Sequence, residues 1–279
     1  MAMASSLDTP GTITRSVRDA YLLYGLMAGH DPLDSTSLTA PIPLDSSVLD
    51  TRSLSGKKIG IPKEYFVDGL DAGVKASIDQ AIKQIESLGG EIVEVSLPHT
   101  QYGISVYYII MAAEVSTNMA RYDGIRFGHK EGAGNDVKLN RSTGFGPEVL
   151  RRIMLGSHVL SAGFYDAYYQ KASEVRELIR QDFDRAFHSC DIIVTPVSPS
   201  VAWKIGEKVS DPLKMYLADV FTIPASLAGL PGMSLPIDPA LPEDGTDKAL
   251  PVGLQILAKP QNELEIFRFA SALEKAYTA

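Results

Sequence analysis

Arg151 and Arg152 stand together in the first turn and a half of a helix that begins at Pro147, where the aligned peptide dipoles repel cations. Asp219 is misplaced in the opposite sense. It closes a short helix whose start is marked by Asp211 as N-cap and Pro212 at the first helical position, and a helix C-terminus disfavours negative charge. Each misplacement costs only about 0.3–1 kcal/mol when exposed, so pairing with neighbouring protein groups is a sufficient explanation. The sharper reading is that one arginine and the aspartate bracket a zwitterion. The guanidinium would grip a carboxylate through two parallel hydrogen bonds, and the aspartate would take an ammonium. Local physics leaves both readings open.

The other chemistry-bearing residues read as structural. His30, His99, His129, His158 and His188 show no metal-ligand spacing and fall in caps, loops or helix faces. Cys190 opens an apolar strand, where a buried thiol is inert, and a single cysteine cannot form an internal disulfide. The glycine-rich spots at 128–134 and 229–232 lack the Lys-Ser/Thr ending of a phosphate loop. Ser5 and Ser6 read as turn-formers.

The elements that must position the charged residues follow from periodicity. Ser16 reads as an N-cap with Asp19 three positions on, opening a helix that stops at Gly29 to Pro32. Residues 31–56 are rich in Pro, Ser, Thr and Asp and read as a long surface connection. Lys58–Pro62, a helix over 72–88 and Glu91–Val95 make a β-α-β unit, which predicts parallel strands. Residues 102–128 read mostly as helix, 129–146 as a polar loop, and 147–160 as a further helix. Beyond a break at Gly163, an amphipathic stretch runs to about Phe187. Cys190–Pro196 and Pro251–Ala258 are apolar strands suited to a sheet buried on both faces, and 262–277 is a last amphipathic helix. Between them, Thr222 to Pro236 is small, apolar and punctuated by Gly and Pro, and reads as a buried crossover from a helix to a strand. The fold class is therefore α/β, with a mixed central sheet covered by helices on both faces.

With 279 residues, 45% hydrophobic and 22% charged, the composition is that of a soluble globular chain with a sizeable core. No apolar run is long enough to span a bilayer, so no membrane contact is expected. A net charge of −8 argues against direct grip on nucleic acid, because phosphate binding wants a basic face.

A series of blocks, in order, resembles the amidase-signature family, and within it the A subunits of glutamyl-tRNA(Gln)/aspartyl-tRNA(Asn) amidotransferases. They are Gly11-Thr-Ile-Thr-Arg15-Ser-Val-Arg-Asp-Ala20, Ala28-Gly-His-Asp-Pro32, Tyr107-Tyr108, Arg121-Tyr-Asp-Gly-Ile-Arg126, Gly144 to Gly156, Tyr165-Asp-Ala-Tyr-Tyr169 and Asp211 to Pro236. The Arg15-Ser16 and Gly229-Leu230-Pro231 regions are shared with general amidases. The Arg-Tyr-Asp-Gly block and the block ending in Arg151-Arg152 are more specific to the tRNA-dependent branch. The match covers essentially the whole chain.

The resemblance implies that residues 1–279 are the C-terminal part of a single amidase-signature domain, an incomplete version of that fold. The family's catalytic Lys and two Ser lie upstream of the block matching Ala4 to Asp8, so no catalytic residue is expected here. Arg152 resembles the residue that holds the α-carboxylate of glutamine, Asp219 the one that holds its α-amino group, and Tyr107 a wall of that pocket. The implied activity is release of ammonia from glutamine to convert Glu-tRNA(Gln) or Asp-tRNA(Asn) into Gln-tRNA(Gln) or Asn-tRNA(Asn). The implied partners are the B and C subunits, with tRNA reached through B. No cofactor is expected on this chain, ATP and Mg being used by the partner, and the implied location is the cytoplasm, or an organelle in a eukaryote. The alternatives are a fragment of a general amidase, or a non-catalytic protein that binds an amino acid or a partner.

Overall fold

Ser16 begins the first helix as its sequence predicts: its side chain accepts from the Asp19 N–H at 3.1 Å and caps α1 (Val17–Met27). The structure, a computed structural model, describes residues 2–39, 44–66, 69–132, 134–207, 215, 217–243, 245 and 247–278. They divide into two compact units, one formed by residues 1–9 and 102–178, the other by 10–101 and 179–279.

The larger unit holds the sheet. β1 (Lys58–Pro62), α2 (Ala72–Ser87) and β2 (Glu91–Val95) form the expected unit, and β1 pairs with β2 in parallel over its whole length. Leu88 caps the C-terminus of α2, and Gly89 follows with φ +90, a conformation glycine adopts without penalty. β3 (Ile192–Pro196) lies on the other side of β1, also parallel, and is buried at every position. β5 (Leu250–Leu257) runs antiparallel to β3, and β4 (Gly232–Ala240) antiparallel to β5. The order is β2-β1-β3-β5-β4, a mixed sheet.

One face of the sheet presents Ile59, Ile192, Val194, Leu235, Leu254 and Ile256 to α1, α2 and α8 (Glu263–Thr278). The other carries Gly60, Val95 and Ile193. A Cβ on Gly60 would meet the Cys190 sulfur at 2.7 Å, so only glycine fits beneath that thiol. Residues 31–56 are less superficial than their composition suggests: Val48, on a short 3-10 helix, and Leu54 are fully buried.

The smaller unit is built on α3 (Gly103–Asn118) packed against α5 (Pro147–Val159). Residues 129–146 are not simply a loop. Asp136 accepts from the Leu139 N–H at 3.0 Å and caps a further helix, α4 (Val137–Gly144). α6 (Lys171–Ala186) follows a π-helical turn at Tyr165–Gln170, and Gly163, with φ +85, marks the expected break before it.

α3 and α5 touch backbone to backbone at Gly156, where a Cβ would lie 1.9 Å from the Ala112 carbonyl oxygen. Gly156→Ala must push the two helices apart. Overpacking of this kind costs about 1–3 kcal/mol, so the melting temperature should fall by several degrees. Gly134→Ala, at a site with nothing within 4 Å, should leave it unchanged. Thermal unfolding of the two variants side by side is the check.

Candidate functional site

Gly156 sets the position of Arg152, one helical turn earlier on the same face of α5. The close approach brings the Arg152 guanidinium to α3, where Nη1 lies 3.6 Å from the Met111 sulfur. Tyr107 precedes Met111 by one turn on α3, so the two share a face; its ring is half-buried and meets Tyr108 edge-on at 5.2 Å.

Arg151 and Arg152 are less anomalous than their dipole suggests. Glu148, in the first turn, accepts from Arg152 Nε at 3.0 Å and pairs with Arg151 as well. An acid belongs at that helix end, and it screens both cations. Arg151 stays exposed. Arg152 is three-quarters buried, and its Nη2 has no hydrogen-bond partner among the described residues. The Nη1/Nη2 edge of the guanidinium is thus turned away from Glu148 and can still take a carboxylate in bidentate fashion.

Asp219 belongs to the larger unit. The N-cap and start predicted at Asp211 and Pro212 lie outside the described residues; Met215 and Leu217 are helical, and the chain turns over 218–222. The Asp219 carbonyl accepts from the Thr222 and Ile223 N–H groups, both at 3.1 Å, at the start of α7 (Ile223–Ala228). α7 is buried and ends in the left-handed Gly229, φ +70, from which the chain enters β4. Thr222 to Pro236 is the crossover that the sequence predicts.

The Asp219 side chain lines a cavity of about 450 Å³ together with Ser198, Ser200, Trp203, Thr222 and Ser234. It has no ion pair or side-chain hydrogen bond among the described residues. Although it is open to solvent, the protein around it displaces enough water to raise its pKa above the usual carboxylate value, and burial is the one cause. Among the described residues, then, this carboxylate has no cation.

Arg121 to Gly128, which takes in the block Arg121–Arg126, is a self-supporting loop. Asp123 accepts from the Ile125 and Arg126 N–H groups at 2.8 and 3.0 Å. Gly124 has φ +73, and a Cβ there would collide with the His129 carbonyl and with Asn140. Buried Asn140 ties the loop to α4 through the Glu131 N–H and the Asp123 carbonyl, and Arg141 donates to the carbonyls of Met119 and Tyr122. The block is architecture and leaves Ile125 and Phe127 exposed.

The residues whose sequence context reads as structural have structural partners. Cys190 is buried, with its thiol pushed up to about 11 by burial, too high for a nucleophile near neutral pH. His99 donates its backbone N–H to the fully buried Asp182 at 2.7 Å and packs its ring nitrogen on the same carboxylate. His188 meets the Asp184 carbonyl, His129 meets Glu131 and His30 meets Ser37. Ser5 accepts from Asn118 at 2.8 Å, and Ser6 is held by Glu114 and Arg176. Among the described residues no group of three or more His, Cys, Asp or Glu could hold a metal, and no helix is long and apolar enough to cross a membrane. The sequence reading missed Gln255, a buried amide in an apolar strand; its polarity amid Leu254, Ile256 and Leu257 is the signal.

The family model described as Amidase matches residues 1–267. The chain is 52% identical, over 279 residues, to the A subunit of the glutamyl-tRNA(Gln) amidotransferase of Carboxydothermus hydrogenoformans, and 51% identical over 280 residues to that of Geobacter metallireducens. Each match takes in 99% of this chain and 56% of the relative, so the chain spans little more than half the length of those relatives. The crystal structure of the glutamyl-tRNA(Gln) amidotransferase A subunit from Thermotoga maritima superposes with a TM-score of 0.76 at 38% identity, covering 98% of this chain and 54% of that one.

The raised pKa of Asp219 fixes the sign of its effect on stability. A carboxyl whose folded pKa exceeds its unfolded one favours folding below the ordinary range, and that contribution is lost as pH climbs through the folded value. Asp219→Asn should therefore raise the melting temperature at about pH 7 and give no gain below about pH 3.9, where the unfolded carboxyl is protonated too. An aspartate held by a protein cation would show the opposite, a loss at neutral pH.

Proposed function

This chain belongs to the amidase family, and on that premise we propose that it forms part of the A subunit of a glutamine-dependent tRNA amidotransferase. In this reading it holds glutamine while the side-chain amide is cleaved. The ammonia is passed to a partner that activates misacylated Glu-tRNA(Gln), or Asp-tRNA(Asn), with ATP and Mg. The B and C subunits are the partners, and the complex works in the cytoplasm. The net charge of −8 fits a protein that reaches tRNA only through B. The names of the relatives and the matched length of this chain support the reading.

The observation that carries it is Asp219: a carboxylate with its pKa raised by the protein around it, at a largely apolar cavity that Ser198, Ser200, Thr222 and Ser234 also line, and without a cation among the described residues. An α-ammonium supplies what it lacks. In the same reading, which for these two rests on the family resemblance, Arg152 holds the α-carboxylate on its Nη1/Nη2 edge and Tyr107 is a wall beside it. Two charged groups of opposite sign select a free amino acid over a simple amide. The covalent steps fall to a Lys and two Ser that the family places before the segment at Ala4: one serine oxygen attacks the amide carbon, the C–N bond breaks, and nitrogen leaves as ammonia with protons relayed through the second serine and the lysine.

Two measurements test this. The 279-residue chain alone should release no ammonia from glutamine above background, and ammonia release abolished by Arg152→Ala would overturn the assignment of the chemistry elsewhere. Joined to the preceding half of the Carboxydothermus relative, Arg152→Lys and Asp219→Asn should each raise KM for glutamine about ten- to a hundredfold, since a charge-assisted hydrogen bond is worth roughly 1.5–3 kcal/mol. Turnover of a short uncharged amide should hardly change. Loss of stability in both variants with an unchanged KM would make the two residues structural.

A further inference from the structure

Gln255 interrupts β5 between Leu254 and Ile256, with only 7% of its surface exposed. Its amide nitrogen donates to Thr195 Oγ1 on β3 at 2.7 Å and to the Phe221 carbonyl at 3.0 Å. The Thr195 hydroxyl hydrogen is committed to the Pro196 carbonyl at 3.0 Å, so its oxygen must accept from Gln255. Both amide hydrogens are therefore spent, one on the sheet and one on the turn over 218–222.

The Phe221 side chain is fixed as well. Its ring stacks on the buried Tyr65 ring with centroids 5.1 Å apart and planes at 26°. Phe221 is thus held by main chain and side chain two residues from Asp219, whose own carbonyl caps α7. Nothing else in the turn is bound to the sheet through a buried amide among the described residues.

We propose that Gln255 is a positioning residue that fastens the Phe221 carbonyl to the sheet and so presents Asp219 at the cavity where an ammonium is held. The role of the ammonium rests on the proposed function; the fastening of the turn does not. A purely structural amide would matter for stability alone. A positioning amide must also govern the surroundings of the Asp219 carboxyl, which now sit close enough to raise its pKa.

The test uses the 279-residue chain with carbon-13-labelled carboxyl groups, the Asp219 signal being assigned by its loss in Asp219→Asn. Gln255→Met keeps the length and neutrality of the side chain but has no donor. Its Asp219 titration midpoint should fall back toward the ordinary aspartate value. Thr195→Val removes the other acceptor and leaves the bond to Phe221, so the midpoint should stay where it is in the wild type. An unmoved midpoint in Gln255→Met, or an equal shift in Thr195→Val, overturns the proposal. Should Gln255→Met not fold, Gln255→Asn, too short by one methylene to reach both acceptors, is read by the same two criteria.

A second arm compares binding of L-glutamine and of 4-carbamoylbutanoate, the same molecule without its α-amino group. Gln255→Met should lose about tenfold of the preference for glutamine, with affinity for the analogue unchanged; equal weakening of both ligands overturns positioning in favour of a general loosening. A wild-type chain without any preference overturns the ammonium role of Asp219, while the titration still decides the role of Gln255.

Discussion

The central strands of the sheet leave no water for a polar side chain, β3 being buried throughout and β5 over Leu254–Leu257, so each one inserted there must find its partner inside the protein. That constraint shapes the larger unit. β3 is buried at all five positions, and its single hydroxyl, Thr195, is matched on both sides: it donates to Pro196 and accepts from Gln255. Gln255 in turn reaches out of the sheet to Phe221. The need to satisfy a buried amide ties a surface turn to the core, and a turn fixed in that way can carry a functional side chain without regular structure of its own.

The same burial makes most of the larger unit legible in the sequence. Continuous apolar runs at Ile192–Pro196 and Pro251–Leu257 point to strands with no wet face, and the register of Lys58–Pro62 against Glu91–Val95 follows from a helix of fitting length between them. β4 is harder to read. Pro236 and Pro239 argue against a strand, and they are tolerated because β4 is the outermost strand, where a missing N–H leaves no ladder bond unmade. α4 is hidden because Gly132, Gly134 and Asn135 dominate the composition just before it. Its signal is a single residue, Asp136, whose carboxylate caps the helix.

The site divides along similar lines. The pairing of Arg151 and Arg152 with Glu148 is a matter of i,i+3 and i,i+4 spacing and can be read directly from the sequence. So can the shared face of Tyr107 and Met111. The roles proposed for Tyr107, Arg152 and Asp219 rest on family resemblance, since no local pattern distinguishes a ligand-holding arginine from a paired one. The lack of a cation beside Asp219 among the described residues, and the reach of Gln255 to Phe221, depend on which segments fold against each other, and no spacing rule encodes that.

The two charged residues are not equivalent in energy. Arg152 already has a carboxylate beside it, so a ligand arriving at its free edge adds to a charge that is partly neutralised. Asp219, open to solvent, has its pKa raised by the protein around it and has no compensating cation among the described residues. An uncompensated charge of this kind persists where a partner completes it, because a ligand bound only to the folded state returns its binding free energy as stability. On the proposed function, an α-ammonium is such a partner. Ser198, Ser200, Thr222 and Ser234 line the same cavity, and on the proposed function their hydroxyls are acceptors for the remaining N–H groups of that ammonium. On the proposed function, discrimination between a free amino acid and a simple amide depends on Asp219, and so on the turn whose Phe221 carbonyl Gln255 holds.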